Sequence, residues 1–237
     1  MVTQTLRHWA ATHPGTRRAT NEDAYLCRPE IGLFAVADGV GGHGSGAFAS
    51  AQAMKALEQI PQTASPGDVL VAVRTRLGSV HDALCAAAAE AGREDPPATT
   101  AVVLLLGGGH LACVWVGDSR AYLLRRGELF RLTTDHSVVG ELVKAGRLTD
   151  AQAERRSDGH IITRALGVNT GGALLDKVTA PVEPGDRLLL CSDGLPRSVS
   201  SQVIGATMAA DEPAAALVAA ALAAGVRDNV TALVARV

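Results

Sequence analysis

Six acidic side chains stand at the ends of short apolar runs in this sequence. They are Glu22, Asp23, Asp38, Asp118, Asp193 and Asp228. Aspartate and glutamate are poor strand residues and are seldom buried without a partner. If the runs are neighbouring strands, the carboxylates come together and repel each other unless protons or cations intervene. Oxygen ligands without paired histidines or cysteines favour Mg²⁺, Mn²⁺ or Ca²⁺ over Zn²⁺, so the pattern predicts a divalent-cation site.

The glycine-rich segment after Asp38, GVGGHGSG, allows more than one interpretation. Gly39, Gly41 and Gly44 match the G-x-G-x-x-G pattern of dinucleotide-binding loops, between an apolar run and a helical one. A dinucleotide site also requires an acidic residue at the end of a second strand about 20 residues on, and that region has a helical pattern instead. No Lys-Ser/Thr pair closes the loop, as a nucleoside triphosphate site requires. We therefore interpret the glycines as giving the Gly39 carbonyl room to approach an ion.

Composition limits the class of protein. The 237 residues are 47% hydrophobic and 19% charged, which provides a packed core and excludes disorder. The net charge of −2 argues against nucleic acid or an anionic membrane as the main partner. We expect a cytoplasmic protein, because the first residues lack an apolar signal segment and the apolar stretch 214–225 is too short to span a bilayer. The four cysteines form no C-x-x-C pair, so we expect reduced thiols.

The elements that must position the acidic residues can be predicted from hydrophobic periodicity. Strands are expected at 6–13, 23–28, 31–38, 174–182 and 186–192, in four runs between 99 and 133, and in the final segment NVTALVARV. Helices are expected at 47–60, 68–92, about 200–210 and 212–224. Because strands arrive in groups rather than alternating with helices, antiparallel sheets with helices packed outside are favoured. No linker divides the chain, so we expect one domain over residues 1–237.

Several segments resemble one family when they are taken in order. They are GTRRATNEDAY, FAVADGVGGHGSGAFAS, TTAVVL, WVGDSRAYLLRRGEL, LTTDHS, ITRALG, LLLCSDGL and RDNVT. Together they closely resemble the metal-dependent Ser/Thr protein phosphatases, the PPM or type 2C family, in its stand-alone bacterial form. The resemblance implies an α+β fold, a four-layer α-β-β-α sandwich in which two antiparallel sheets are flanked by helix pairs.

The resemblance also implies roles for individual residues. Two Mg²⁺ or Mn²⁺ ions are bridged by Asp38; Asp193 and Asp228 complete the first site, and Glu22 and the Gly39 carbonyl serve the second. Asp23 ranks lower, as a residue that holds metal-bound water or orients the loop. Asp118 resembles the ligand of a third, weaker ion that it shares with Asp193. Arg18 is expected to bind the substrate phosphate, and His43 is a candidate proton donor or a structural loop residue.

Function and partners follow from the same resemblance. We expect hydrolysis of phosphoserine and phosphothreonine in proteins by a monomer that reverses the action of a bacterial Ser/Thr kinase. The alternative is a pseudo-phosphatase that acts as a binding module. Residues 137–160 are polar and glycine-containing, and we expect a mobile flap beside the metal site. The sequence departs from the family at Pro196 and Arg197, where a small polar residue and an acid are usual, and we expect this to affect substrate choice rather than activity.

Overall fold

The computed structural model describes residues 6–41, 44–91, 96–153, 156, 161–168 and 171–237. The strands are β1 (Arg7–His13), β2 (Asp23–Arg28), β3 (Leu33–Val40), β4 (Ala98–Thr99), β5 (Ala101–Gly107), β6 (His110–Val116), β7 (Arg120–Arg125), β8 (Glu128–Arg131), β9 (Asp176–Pro181), β10 (Arg187–Cys191) and β11 (Val230–Arg236). The helices are α1 (Ser45–Glu58), α2 (Pro66–Ala91), α3 (Val138–Lys144), α4 (Asp150–Ala153), α5 (Gly194–Ser198), α6 (Ser201–Thr207) and α7 (Pro213–Ala223), with a 3-10 turn at Pro29–Ile31. None of the helices within these ranges is long and apolar enough to cross a bilayer.

The strands form two antiparallel sheets, as predicted. The first sheet has the order β1-β11-β10-β7-β8. The second has the order β2-β3-β5-β6-β9, and the short strand β4 pairs with the end of β3. The "GGG" and "RRG" segments form hairpin turns, in which Gly108, Gly109, Arg126 and Gly127 all have positive φ angles.

Strand β3 shows how the sequence produces layers. Its side chains alternate between two faces, so Phe34 and Val36 contact the first sheet while Leu33 and Ala35 contact helices α1 and α2. Both faces are apolar, because a strand covered on both sides has no solvent-facing positions. A third apolar cluster lies between the first sheet and α5–α7. The resulting α-β-β-α order confirms the four-layer sandwich that the resemblance implied.

The predicted helices are present with shifted ends. Helix α1 begins two residues before the predicted 47, after Gly44, whose φ of 82° allows the chain to turn into the helix. Helix α2 begins at Pro66, where the missing N–H of proline costs no hydrogen bond. Helix α5, directly after Asp193, was not predicted, since five residues are too few to show a helical period.

The expected flap, 137–160, is described in part. Helix α3 begins after Ser137, whose Oγ accepts a hydrogen bond from the Gly140 N–H at 3.0 Å, and α4 follows. Residues 154–155 and 157–160 lie outside the described ranges. The mobility of this segment therefore stays a prediction.

The cysteines are free thiols, as expected. Cys113 and Cys191 are buried in the sheets, and burial raises the pKa of each thiol to about 12. Both are therefore uncharged core residues with no nucleophilic role.

Candidate metal centre

The predicted site residues converge on one cavity of about 260 Å³ at an end of the two sheets. Those that line it are Arg18, Glu22, Asp38, Gly39, Asp118, Asp193 and Asp228. They come from both sheets, so the cavity exists only where the two layers meet. Asp23 lies outside the lining, and His43 is outside the described residues.

Asp38 is held by backbone pairing in the second sheet. It lies opposite Asp23 across β2 and β3. Its N–H donates to Thr100 Oγ1 at 3.0 Å, and its carbonyl accepts from the Thr100 N–H at 2.9 Å and from Thr99 Oγ1 at 3.0 Å. Because both backbone groups are bound, the side chain has a defined direction into the cavity. Burial, then the nearby carboxylates of Asp23 and Asp193, raises the pKa of Asp38 well above its usual range.

A glycine is required at position 39 by the packing of its neighbours, as well as by the predicted approach of its carbonyl to an ion. A Cβ at Gly39 would lie 2.2 Å from the Gly46 carbonyl oxygen and 2.7 Å from the Glu22 carbonyl oxygen. The Gly39 N–H also donates to the Glu22 carbonyl at 3.2 Å. The first turn of α1 thus packs directly on the backbone at the end of β3, which brings Glu22 beside Asp38.

We predict that Gly39→Ala destabilises the protein by about 1–3 kcal/mol or more, because the added methyl meets backbone that cannot rotate away. The free energy of unfolding in urea measures this. The control is Gly78→Ala in the middle of α2, where a Cβ meets no atom within 4 Å. That substitution should stabilise the protein by roughly 0.5–1 kcal/mol, because alanine has the higher helix propensity. Equal effects of the two substitutions would contradict the packing argument.

Asp23 lies behind the cavity and serves the scaffold. Its Oδ2 accepts hydrogen bonds from Ser192 Oγ and Thr231 Oγ1, both at 2.7 Å, which connects β2 with the first sheet. Its Oδ1 is buried and has no hydrogen-bond partner among the described residues. Burial raises the pKa of Asp23 to about 7, although the two hydroxyls act in the opposite direction. An unpartnered buried oxygen of this kind requires a ligand, such as an ordered water molecule.

Asp118 and Asp193 enter the cavity from the first sheet. Asp118 lies in the turn between β6 and β7, after Gly117, where a Cβ would collide with the Thr100 side chain at 2.5 Å. Asp193 follows β10 at the start of α5. Burial, then the charge of Asp193, raises the pKa of Asp118 to about 7. Burial also raises the pKa of Asp193, an effect that the Arg197 guanidinium partly offsets.

Asp228 and Arg18 form a two-point ion pair at the rim of the cavity. Arg18 Nε and Nη2 donate to Asp228 Oδ1 and Oδ2 at 2.8 and 3.0 Å. The side chains are 57% and 48% exposed, respectively, so solvent reaches the pair. The Asp228 side chain, before any other cause, raises the pKa of Arg18. The guanidinium is therefore a permanently charged group beside the carboxylate cluster.

The donor set fits hard divalent cations. Several carboxylates with raised pKa values share one small cavity, and a buried oxygen of Asp23 faces no partner in the described part of the chain. Such a cluster is stabilised by positive charge, and oxygen donors select Mg²⁺ or Mn²⁺. Within the described ranges, no three acidic, histidine or cysteine side chains converge on a single point at ligand distance. Arginines supply the positive charge instead: Arg18 pairs with Asp228, and Arg197 pairs with Asp118 and Asp193.

Asn229 is a positioning residue that the sequence reasoning did not single out. Its Oδ1 accepts from the Glu22 N–H at 2.8 Å, and its Nδ2 donates to the carbonyls of Pro14 and Thr20 at 3.0 and 3.1 Å. It thus ties the loop that carries Arg18 and Glu22 to the start of β11. The RDNVT segment contained the signal, since an asparagine directly after a site acid can bind the backbone.

Known proteins are similar to this chain over its whole length. A family model described as protein phosphatase 2C matches residues 15–229. The serine/threonine protein phosphatase PstP of Mycobacterium tuberculosis is 37% identical over 240 residues, which cover 100% of this chain and 46% of that protein. The chain therefore spans about half the length of this relative.

Two solved structures have closely similar folds. PppA, described as a key regulatory component of T6SS in Pseudomonas aeruginosa, superposes with a TM-score of 0.90 at 36% identity and covers 98% of each chain. The catalytic domain of the phosphatase PstP in complex with two manganese ions superposes with a TM-score of 0.85 at 35% identity, covering 98% of this chain and 97% of that one.

Proposed function

This chain belongs to the protein phosphatase 2C family, and we propose that it hydrolyses phosphoserine and phosphothreonine in proteins with the help of Mn²⁺ or Mg²⁺. One observation carries the proposal: four aspartates, one glutamate and two arginines from five separate segments line a single cavity. The match of this whole chain to about half of a serine/threonine protein phosphatase supports the substrate class. The manganese in a similar structure supports the choice of ion.

We assign the ligands as the resemblance implied. Asp38 would be shared by two ions, Asp193 and Asp228 would serve one of them, and Glu22 with the Gly39 carbonyl would serve the other. Bound divalent ions lower the pKa of water and so supply hydroxide near neutral pH. Binding requires Asp228 to exchange one of its two contacts with Arg18 for a contact with an ion. This exchange keeps the charge on the Asp228 carboxylate compensated throughout.

Arg18 is the group that would bind the substrate phosphate. It is half-exposed at the rim, and Asp228 holds its guanidinium by two of its nitrogens. A planar guanidinium matches the oxygens of a phosphate monoester and neutralises its charge. The phosphoprotein would therefore be oriented with its phosphorus facing the carboxylate cluster.

A second cavity of about 460 Å³ adjoins the first and runs between α3 and α5. Asp118, Asp193 and Arg197 line both cavities, so the two are continuous at these residues. We propose that it takes the polypeptide chain of the substrate. The substrates would be proteins phosphorylated by a cognate bacterial Ser/Thr kinase. The pseudo-phosphatase alternative is not favoured, because all six predicted acidic residues are present.

The direct test of function is phosphate release from a phosphothreonine peptide and from p-nitrophenyl phosphate in the presence of Mn²⁺. We expect turnover of both. If folded protein that binds Mn²⁺ hydrolyses neither substrate, the result contradicts catalysis and supports a binding module.

We predict that Arg18→Ala lowers kcat/KM by roughly 10- to 150-fold, because a charge-assisted contact of about 1.5–3 kcal/mol is lost. Most of the loss should be a raised KM, since ground state and transition state both carry the phosphate charge. Mn²⁺ affinity, measured by calorimetry, should not weaken, because arginine donates no metal ligand. The control is Arg17→Ala, which removes an exposed charge next to it and should be nearly silent. Weakened Mn²⁺ binding with an unchanged KM would mean that the phosphate is bound elsewhere.

A further inference from the structure

Arg197 lies at the boundary between the two cavities. It lies one helical turn after Asp193, and it lines the metal cavity and the larger cavity together with Asp118 and Asp193. The two aspartates come from different elements, the β6–β7 turn and the end of β10. Both carboxylates contact the Arg197 guanidinium.

The contacts are those of a bridging cation. Arg197 Nε lies 2.8 Å from Asp193 Oδ2, and Nη2 donates to Asp118 Oδ2 at 3.2 Å. The side chains of Asp118 and Asp193 are 6% and 18% exposed, whereas that of Arg197 is 40% exposed. Two poorly solvated carboxylates are therefore both paired with one positive charge, the guanidinium of Arg197 on α5.

We infer that Arg197 is a built-in competitor for the third ion at Asp118 and Asp193. This inference rests on the proposed metal-dependent function. A guanidinium stays charged at every working pH, and it occupies the same oxygen lone pairs that a divalent cation needs. The third ion and the guanidinium cannot both hold these oxygens, and their like charges repel at this separation. The i,i+4 spacing on α5 holds Arg197 close to Asp193 before any ion binds, so this contact loses little side-chain entropy. Binding of the third ion is disfavoured because it must displace this contact.

The same geometry provides a place for the displaced side chain. Arg197 lines the larger cavity, so rotation away from the aspartates leaves it beside α3 in the groove proposed for substrate. An ion in the third site and a positive charge in the substrate groove are then coupled: the ion binds when the guanidinium lies in the groove, and is excluded when the guanidinium contacts the two aspartates. A substrate with an acidic residue near its phosphate would favour the displaced arginine and hence the third ion.

The test is Mn²⁺ binding by titration calorimetry, with free Mn²⁺ followed by electron paramagnetic resonance. Wild-type protein should show two tighter sites and one weak site. In Arg197→Ala, the dissociation constant of the weakest site should fall by about tenfold or more, since one adjacent positive charge is gone. Arg197→Lys keeps the charge and should stay close to wild type. Arg17→Ala, which removes an exposed positive charge near Arg18, is the control and should leave all sites unchanged.

Two results would overturn the inference. One is a weakest-site constant that stays within about twofold of wild type in Arg197→Ala. The other is an equal change in Arg197→Ala and Arg197→Lys, which would indicate bulk rather than charge. In both cases the two tighter sites would remain, and with them the proposed function. Absence of Mn²⁺ binding at every site would instead contradict the proposed function and the inference together.

Discussion

Asp38→Asn should lose nearly all phosphatase activity and, without metal, should be more stable than wild type. Asparagine keeps the shape of the side chain but removes the charge that both ions would share. Loss of a group that merely orients a metal ligand costs roughly 10- to 100-fold in metal affinity or activity, so loss of the bridging carboxylate should exceed this. The measurements are hydrolysis of a phosphothreonine peptide and Mn²⁺ titration.

The stability of Asp38→Asn gives an independent check. Asp38 is surrounded by other carboxylates, and its pKa is raised well above the usual range. Without metal its charge is therefore unfavourable, and the variant should melt at a higher temperature in EDTA, by about 2–4 °C for each kcal/mol gained. Addition of Mn²⁺ should raise the melting temperature of wild type far more than that of the variant. A variant with wild-type activity, or with a lower melting temperature in EDTA, would show that Asp38 does not belong to a carboxylate cluster that binds ions.

Metal removal should abolish activity, and added Mn²⁺ should restore it. At a free concentration 100 times the dissociation constant, each bound ion adds about 2.7 kcal/mol to the stability of the folded state. The melting temperature should therefore fall in EDTA together with the activity. Full activity in protein shown by elemental analysis to be free of metal would contradict the assignment of the site.

The metal-free protein should also become less stable as pH rises. The pKa values of Asp23 and Asp118 are about 7 in the folded protein, against 3.8 ordinarily. Between these values the folded state holds more protons than the unfolded state. The stabilising contribution of these two carboxyl groups is therefore complete below about pH 4 and is lost as pH rises through about 7. Saturating Mn²⁺ should remove this decrease, because ion binding replaces the protons. Melting curves from pH 5 to 8, with and without Mn²⁺, test the sign.

Much of the architecture was predictable because each element carries its own periodicity. The helix pair after Asp38 and the strand around residues 176–181 were located within a few residues, since their hydrophobic spacing is local. The order of strands in each sheet was not predictable, because pairing such as that of β1 with β11 depends on contacts between distant segments. Helix α5 was missed for lack of length.

The acidic residues of the site could be predicted from the sequence, whereas the contacts of Arg197 and Asn229 could not. Asp38 and Asp193 stand out because a charge ends an apolar strand. Arg197 was seen as a departure at a position near the substrate, but its contact with Asp118 requires the β6–β7 turn to lie beside α5. Asn229 is similar, since an asparagine in a loop shows its hydrogen-bond partners only in three dimensions.

The pairing of Arg18 with Asp228 joins residues 210 positions apart and has a consequence during synthesis on the ribosome. Strand β11 is the neighbour of both β1 and β10, so the first sheet has a gap until residues 230–236 have emerged. A nascent chain that ends before Asp228 lacks this carboxylate and leaves β1 without a strand partner in that sheet. Pairings of such high contact order form slowly, after local helices and hairpins. We therefore expect the metal centre to assemble after these local elements, so that a chain truncated before Asp228 has an incomplete site.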